Sequence, residues 1–514
     1  MTEVRSGTLL ILDGWGQTGP GPANAIAQAS TPNLEQGLAT GLSTLLEASG
    51  RAVGLPDGIV GNSEIGHLVI GAGRPLEYDS LLVKRQAESG MLRRHPLLLE
   101  ICARLRRQGG AFHLVGLCSD GQIHSHIDHF EELLAAARGT GLQRVWLHAI
   151  TDGRDVADGT AQQYVERLLA MASRVGVGVL ASLVGREYAM DKAGRLELTE
   201  QAYLAIADGV GTPARSAAEA IERNPTGKDM WLPPTVLTDE DGRPVGPVGD
   251  GDAVVFVNFR SDRTQQLADM LATRVGIASR TSPARRVEIV SLAQYDTTAP
   301  IPALVPRADA SHGLADELET AGVRSVRIAE AEKFEHVTYY LNGRDPRSRP
   351  LEESLRVPTA AGDNYLDFPA MNVAGVADAT IAAGSRPDVG LVVANLSNID
   401  VVGHTGNLKA TVLATEAVDA AVGRILVAAA AAHRWVILVG DHGNGEQMLE
   451  YASDGSERPY GGHTANPVPV VVVDPAERRP GSLRPGASLA AVAPTVLRML
   501  GLRVGAAMEA DPLL

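Results

Sequence analysis

The chain has 514 residues, long enough for several domains and for sizeable cores without disulfide staples. Hydrophobic residues make up 45% and charged residues 21%, which excludes a mostly disordered chain. Forty-six basic against 61 acidic residues leave a net charge of -15, which argues against a general nucleic-acid surface but allows a local arginine cluster that holds an anion.

In chain order, Met1 to Ser6 lacks the pattern of a secretory signal, and no run of apolar residues is long enough for a spanning helix. Leu9–Leu12 reads as a buried strand and ends in Asp13-Gly14. In Gly61-Asn62-Ser63-Glu64-Ile65-Gly66-His67 the glycines let a serine hydroxyl protrude, and the Glu-Ile continuation could open a helix. A helix N-terminus stabilises an alkoxide or a phosphate, although an ordinary N-cap serine has the same signature. Phe112–Leu117 leads through Cys118, read as a small core residue, to Ser119–His126. Val145–Ile150 leads to Asp152-Gly153-Arg154-Asp155, and Val179–Val184 to Gly185-Arg186. Asp239–Asp252 reads as a polar surface excursion, and Val254–Val257 ends in Asn258–Arg263. After the strand Val287–Leu292, a run ending at Ile328 precedes Lys333. Val389–Ala394 precedes Asp400-x-x-x-His404, Val436–Val439 precedes Asp441-His442, and Val468–Val473 follows His463. Helical patterns cover Glu131–Arg138, Ala161–Ala172, Ala370–Ala383 and Lys409–Ala432.

Strand–helix alternation of this kind predicts α/β layers with largely parallel sheets, whose ligands sit beyond the carboxyl ends of the strands. Polar clusters follow the strands repeatedly, and they differ by region. Before residue 80 and after residue 390 they are Asp, His and Ser; between 110 and 265 they are rich in Arg. Two sites of different character suggest two domains, one interrupting the other. Asp13, Asp400, His404, Asp441, His442 and His463 are the ligand types of Mn or Zn, enough for two ions at three each, with a serine oxygen in addition. Taken singly, Asp400 and His404 could be a helix-face pair and Asp441-His442 a helix cap. Arg154, Arg186, Arg260 and Arg263 suit a phosphate or carboxylate, whose two oxygens match a guanidinium fork. Lys333 could join them or pair at the surface with Glu332 or Glu335; His124 and His126 could bind a metal or a phosphate. The two cysteines form neither a disulfide framework nor a zinc site and fit a reducing compartment.

Together and in this order, the motifs resemble the cofactor-independent (2,3-bisphosphoglycerate-independent) phosphoglycerate mutases over nearly the whole chain. The resemblance implies an α/β alkaline-phosphatase-like metal domain, residues 1–77 and 306–514, with an inserted α/β transferase domain at 78–305. It implies two manganese ions, other divalent metals being possible. Asp400, His404 and His463 would hold one, and Asp13, Asp441, His442 and the Ser63 oxygen the other. His124, Arg154, Asp155, Arg186, Lys192, Arg260, Arg263 and Lys333 would bind phosphoglycerate, and Asp155 would serve as base. The implied activity is interconversion of 3-phosphoglycerate and 2-phosphoglycerate through phosphorylated Ser63, in glycolysis and gluconeogenesis. A cytoplasmic monomer with no nucleic-acid or membrane partner is expected. Departures from the usual pattern lie on the substrate side: Glu187 replaces an aromatic, Lys192 an arginine, Gln122 a small residue and Glu335 a proline. They leave open a paralogous phosphomutase or a phosphatase acting on another small phosphorylated acid.

Overall fold

The structure is a computed structural model that describes residues 4–191, 193–276, 285–359, 364–451, 456–476 and 481–514. The chain divides into two compact units, Met1–Glu77 with Asp309–Leu514, and Tyr78–Ala308. The return crossing falls at Ala308/Asp309 because Arg307 is held by Asp296 at 2.8 Å and faces Asp79 at 3.6 Å, both in the second unit.

The first unit is built on a sheet whose order runs Glu352–Val357, Ser325–Glu330, Leu391–Leu396, Gly7–Leu12, Trp435–Gly440, Val468–Val473, Leu42–Glu47 and Gly481–Ser482. The first five of these strands are parallel. Val468–Val473 is antiparallel to both of its neighbours. Gly7–Leu12 is buried at every position, as the continuous run Leu9–Leu12 predicts for a central strand covered on both faces. Its register pairs Leu12 with Leu396 on one side and Gly440 on the other. The next residues, Asp13, Ser397 and Asp441, therefore leave the sheet at the same level.

The second unit carries an eight-stranded sheet in the order Ala303–Val305, Glu288–Ala293, Ala253–Phe256, Phe112–Leu117, Val145–Thr151, Val179–Gly185, Thr235–Leu237 and Thr212–Ala214. Among the described residues, the pairing of Val179–Gly185 with Thr235–Leu237 is the one antiparallel strand pair in this sheet. Helices Asp128–Gly139 and Ala161–Val175 pack their apolar stripes on this sheet through Phe130, Leu133, Leu134, Val165 and Leu168. Helix Val373–Gly384 begins after the expected Ala370, because the Asn372 side chain caps it by accepting from Gly375 N at 3.2 Å. Asp239–Asp252 includes the exposed turn expected there, closed by a Thr238–Pro244 bridge, but its end is buried: Asp252 accepts from Ala111 N and Gly249 N, each at 2.6 Å. Cys102 and Cys118 are free and buried, and burial pushes both thiols up to about 12. Among the described residues no helix is long and apolar enough to cross a membrane.

Candidate functional site

In the first unit, three strand ends and one helix start converge. Gly14 turns the chain after Asp13 with φ +78, and a Cβ there would meet Asp400 backbone at 2.9 Å. Ser63 opens the helix Ser63–Ala72, but it does not cap it: Asn62 does, accepting from Ile65 N at 2.9 Å. The serine hydroxyl is thus free for other partners. Ser63 Oγ lies 3.2 Å from Asp13 Oδ1, 2.9 Å from His442 Nε2 and 2.5 Å from Lys333 Nζ. Lys333 is buried here; its ammonium also donates to Asp13 at 2.9 Å and Asp400 at 2.7 Å, and neither Glu332 nor Glu335 is its partner. Burial opposes its charge, but the Asp13, Asp400 and Asp441 carboxylates outweigh that and raise its pKa. Burial would likewise raise Asp13, yet the Lys333 ammonium holds it well below the usual carboxylate range. Burial pulls His442 down, and the surrounding carboxylates more than compensate, lifting it to about 10.

Asp400 and His404 do sit as a helix-face pair, with His404 Nε2 3.3 Å from Asp400 Oδ1. His463 Nε2 lies 3.3 Å from the same oxygen and 3.2 Å from His404 Nε2. The Nδ1 of His404 donates to Gly461 O at 2.7 Å, and that of His463 to Gly61 O at 3.0 Å. In the neutral rings both Nε2 atoms therefore carry lone pairs, and they converge on each other and on a carboxylate oxygen. Acceptors facing acceptors are a donor set for a divalent cation, and backbone carbonyls fixing the tautomer are how metal-bound imidazoles are oriented. Asp441 is no helix cap: Oδ1 accepts from Gly14 N at 3.2 Å, and Oδ2 is buried with no hydrogen bond. Among the described residues two groups have the proximity needed to hold a metal ion, Asp400 with His442 and His463, and Asp13 with His67 and Asp441. His67 lay in the serine motif without a role assigned to it. Glu446 was also missed; buried, it accepts from Asn444 N at 2.8 Å and Asn466 Nδ2 at 2.9 Å, and from Thr464 Oγ1, which ties the loop after Asp441 to the segment after His463.

The second unit gathers the anion-binding candidates at the carboxyl ends of its own strands. Asp152 organises them: it accepts from Ser119 Oγ at 2.5 Å, from Arg154 N at 3.1 Å and from Asp155 N at 3.0 Å. Arg186 is buried and pairs with Asp152 at 2.5 Å and Asp155 at 2.8 Å. Asp155 Oδ2 is buried without a partner, the state of an acceptor kept for a ligand hydroxyl. Arg260 lies 3.0 Å and Arg263 3.5 Å from Asp262, which also faces His124 Nδ1 at 3.6 Å. Burial pushes His124 down to about 4, so it is neutral at physiological pH. His126 Nδ1 lies 3.6 Å from Asp128. Arg154 is half exposed and lies 3.9 Å from Glu187. Lys192 falls outside the described residues. Asp152 and Asp262 stood inside motifs read for their arginines; an acidic residue one or two places away was the available signal.

Comparison with known proteins adds the following. The family model of the BPG-independent PGAM N-terminus matches residues 83–297. A Streptomyces coelicolor protein named 2,3-bisphosphoglycerate-independent phosphoglycerate mutase is 56% identical over 510 residues, covering 99% of this chain and 98% of that one. A Synechococcus protein of the same name is 42% identical over 507 residues, covering 96% and 93%. Among solved structures, a phosphoglycerate mutase of Leishmania mexicana, determined at low cobalt concentration, superposes with TM-score 0.72 at 30% identity over 99% of this chain and 97% of that one.

Proposed function

The chain belongs to the 2,3-bisphosphoglycerate-independent phosphoglycerate mutases, and on that premise we propose that it interconverts 3-phosphoglycerate and 2-phosphoglycerate through phosphorylated Ser63 at a site for two manganese ions. The observation that carries this reading is Ser63 Oγ itself, released from helix capping and set between Asp13, His442 and Lys333. Asp400, His404 and His463 would hold one ion, and Asp13, Asp441, His442 and Ser63 the other. Divalent cations bound there would supply positive charge that favours the serine alkoxide and neutralises the phosphate.

Ser63 Oγ forms a bond to phosphorus as the bond from phosphorus to the oxygen on carbon 3 breaks, and the proton that Ser63 loses ends on that oxygen. The Lys333 ammonium adds charge beside the attacking oxygen. Arg154, Arg186, Arg260 and Arg263 hold the glycerate by its carboxylate and phosphate, with His124 as a neutral hydrogen-bonding group. The hydroxyl on carbon 2 then attacks the phosphorus as the bond to Ser63 breaks; Asp155 takes the hydroxyl proton and one proton returns to Ser63 Oγ, which restores the starting state once Asp155 releases its own. Purified protein supplied with manganese and 3-phosphoglycerate, followed by phosphorus NMR, should form 2-phosphoglycerate without added bisphosphoglycerate. Ser63→Ala should abolish this; a Ser63→Ala protein that still interconverts the two would overturn the reading.

A further inference from the structure

His67 is fully buried one helical turn after Ser63, and proximity alone groups it with Asp13 and Asp441 as a metal ligand. Its hydrogen bonds say otherwise. Asn395 Nδ2 donates to Asp13 Oδ2 at 2.7 Å, so the amide must turn its NH2 toward that carboxylate. The same nitrogen lies 3.0 Å from His67 Nε2, which must then be the acceptor. Nδ1 consequently carries the proton and donates to Ser63 O at 2.8 Å, with Asp441 Oδ2 at 3.2 Å beside it. Neither ring nitrogen has a lone pair to give to a cation. The His336 ring packs edge-on to His67 at 5.3 Å and fixes its plane.

We propose that His67 and Asn395 form a relay that positions Asp13 and the Ser63 turn, and that His67 is a positioning residue and not a metal ligand. The relay runs from the nucleophile's own carbonyl, through an imidazole and an amide, to a carboxylate on a different strand. It joins the helix start to the central strand of the sheet, which sequence proximity cannot do. The inference deepens the two-metal reading and rests on it. Removal of such an outer partner should weaken binding at the Asp13 side by about 10–100-fold while leaving the Asp400, His404 and His463 side intact.

The test is a titration of metal-free full-length protein with Co2+, following uptake by calorimetry and the visible spectrum at saturation. Wild type should take two ions. His67→Ala and Asn395→Ala should each lose affinity for one of them, keep the wild-type bands at saturation, and show no further loss when combined. His67→Gln, which can still accept from Asn395, should recover part of the affinity. Altered bands in saturated His67→Ala would make His67 a ligand and overturn the proposal, as would unchanged affinity in both single variants. Wild-type uptake of fewer than two ions would instead sink the two-metal reading, and the relay with it. Where thermal unfolding shows His67→Ala misfolded, Asn395→Ala and His67→Gln carry the same comparison.

Discussion

Lys333 Nζ stands 2.5 Å from Ser63 Oγ, closer than to either carboxylate that neutralises it. A buried ammonium this close to a hydroxyl favours the oxyanion through Coulomb attraction in a region of low dielectric. Lys333→Met should lower kcat by roughly 100-fold or more, the scale of losing one group that stabilises developing charge. Steady-state kinetics with 3-phosphoglycerate decides it; a loss below tenfold would mean that the lysine only offsets the charge of its neighbours.

Asn62, and not Ser63, caps the helix Ser63–Ala72. Asn62→Ala should cost about 1 kcal/mol of stability, the usual value of an N-cap, and should lower kcat by leaving Ser63 as the nearest substitute cap. Asn62→Asp keeps an acceptor and should restore both. Chemical denaturation and kinetics on the three proteins test this; equal kcat in all three would separate capping from chemistry.

Gly66 is required for close approach: a Cβ there would stand 2.6 Å from Asp441 O, a backbone atom that cannot rotate away. Gly66→Ala should destabilise by about 1–3 kcal/mol through overpacking and displace Asp441. Metal content after dialysis against a weak chelator should fall more in this variant than in Gly19→Ala, where a Cβ meets nothing within 4 Å.

Glu330 is buried at the end of the strand Ser325–Glu330, where Asn372 N donates to one oxygen at 3.0 Å and the other has no partner. Burial raises its carboxyl to about 7 from 4.5. Between pH 4.5 and 7 the folded chain keeps a proton that the unfolded chain has shed, so this group makes stability fall as pH rises through that window, by about 3 kcal/mol in all. Glu330→Gln should therefore match wild type near pH 4.5, gain on it up to pH 7 and hold a constant advantage above. Denaturation midpoints measured across that range check the sign and the window.

Glu187, in place of an aromatic residue, stands 3.9 Å from Arg154 and 3.7 Å from Arg195. If Arg154 holds the substrate as proposed, a carboxylate there competes with it for that guanidinium group. Glu187→Gln should lower KM for 3-phosphoglycerate by about 2–10-fold with kcat unchanged, the signature of changed uniform binding. An unchanged KM would show that Glu187 only steadies Arg195.

The residues most legible in the sequence were those that end apolar strand runs. Asp13, Asp155, Arg186, Asp441 and the Asn258–Arg263 segment follow strands because a parallel sheet presents its carboxyl ends to one side. Short or antiparallel pieces such as Leu42–Glu47 and Thr235–Leu237 left no comparable run, because partly exposed or three-residue strands need no continuous apolar stretch. Lys333 could be placed near a site but not assigned to one group of partners, since its position depends on Ser325–Glu330 pairing with Leu391–Leu396, far along the chain. Asn395 reaches Asp13 and His67 through hydrogen bonds to atoms distant in sequence, and such bonds leave no spacing pattern to read; Asn62 caps at the ordinary three-residue spacing, where the adjacent Ser63 is an equally good cap type.

The central place of Gly7–Leu12 has a consequence for biosynthesis. Both of its neighbours, Leu391–Leu396 and Trp435–Gly440, are made only after the interposed unit. At ~5–20 residues per second the first strand waits on the order of tens of seconds on the ribosome with unpaired backbone groups and an apolar surface. The interposed unit, complete in its own pairings by Val305, has that interval in which to fold. Nascent chains stopped before residue 391 should therefore depend on chaperones for their amino-terminal segment while already resisting protease over Tyr78–Ala308.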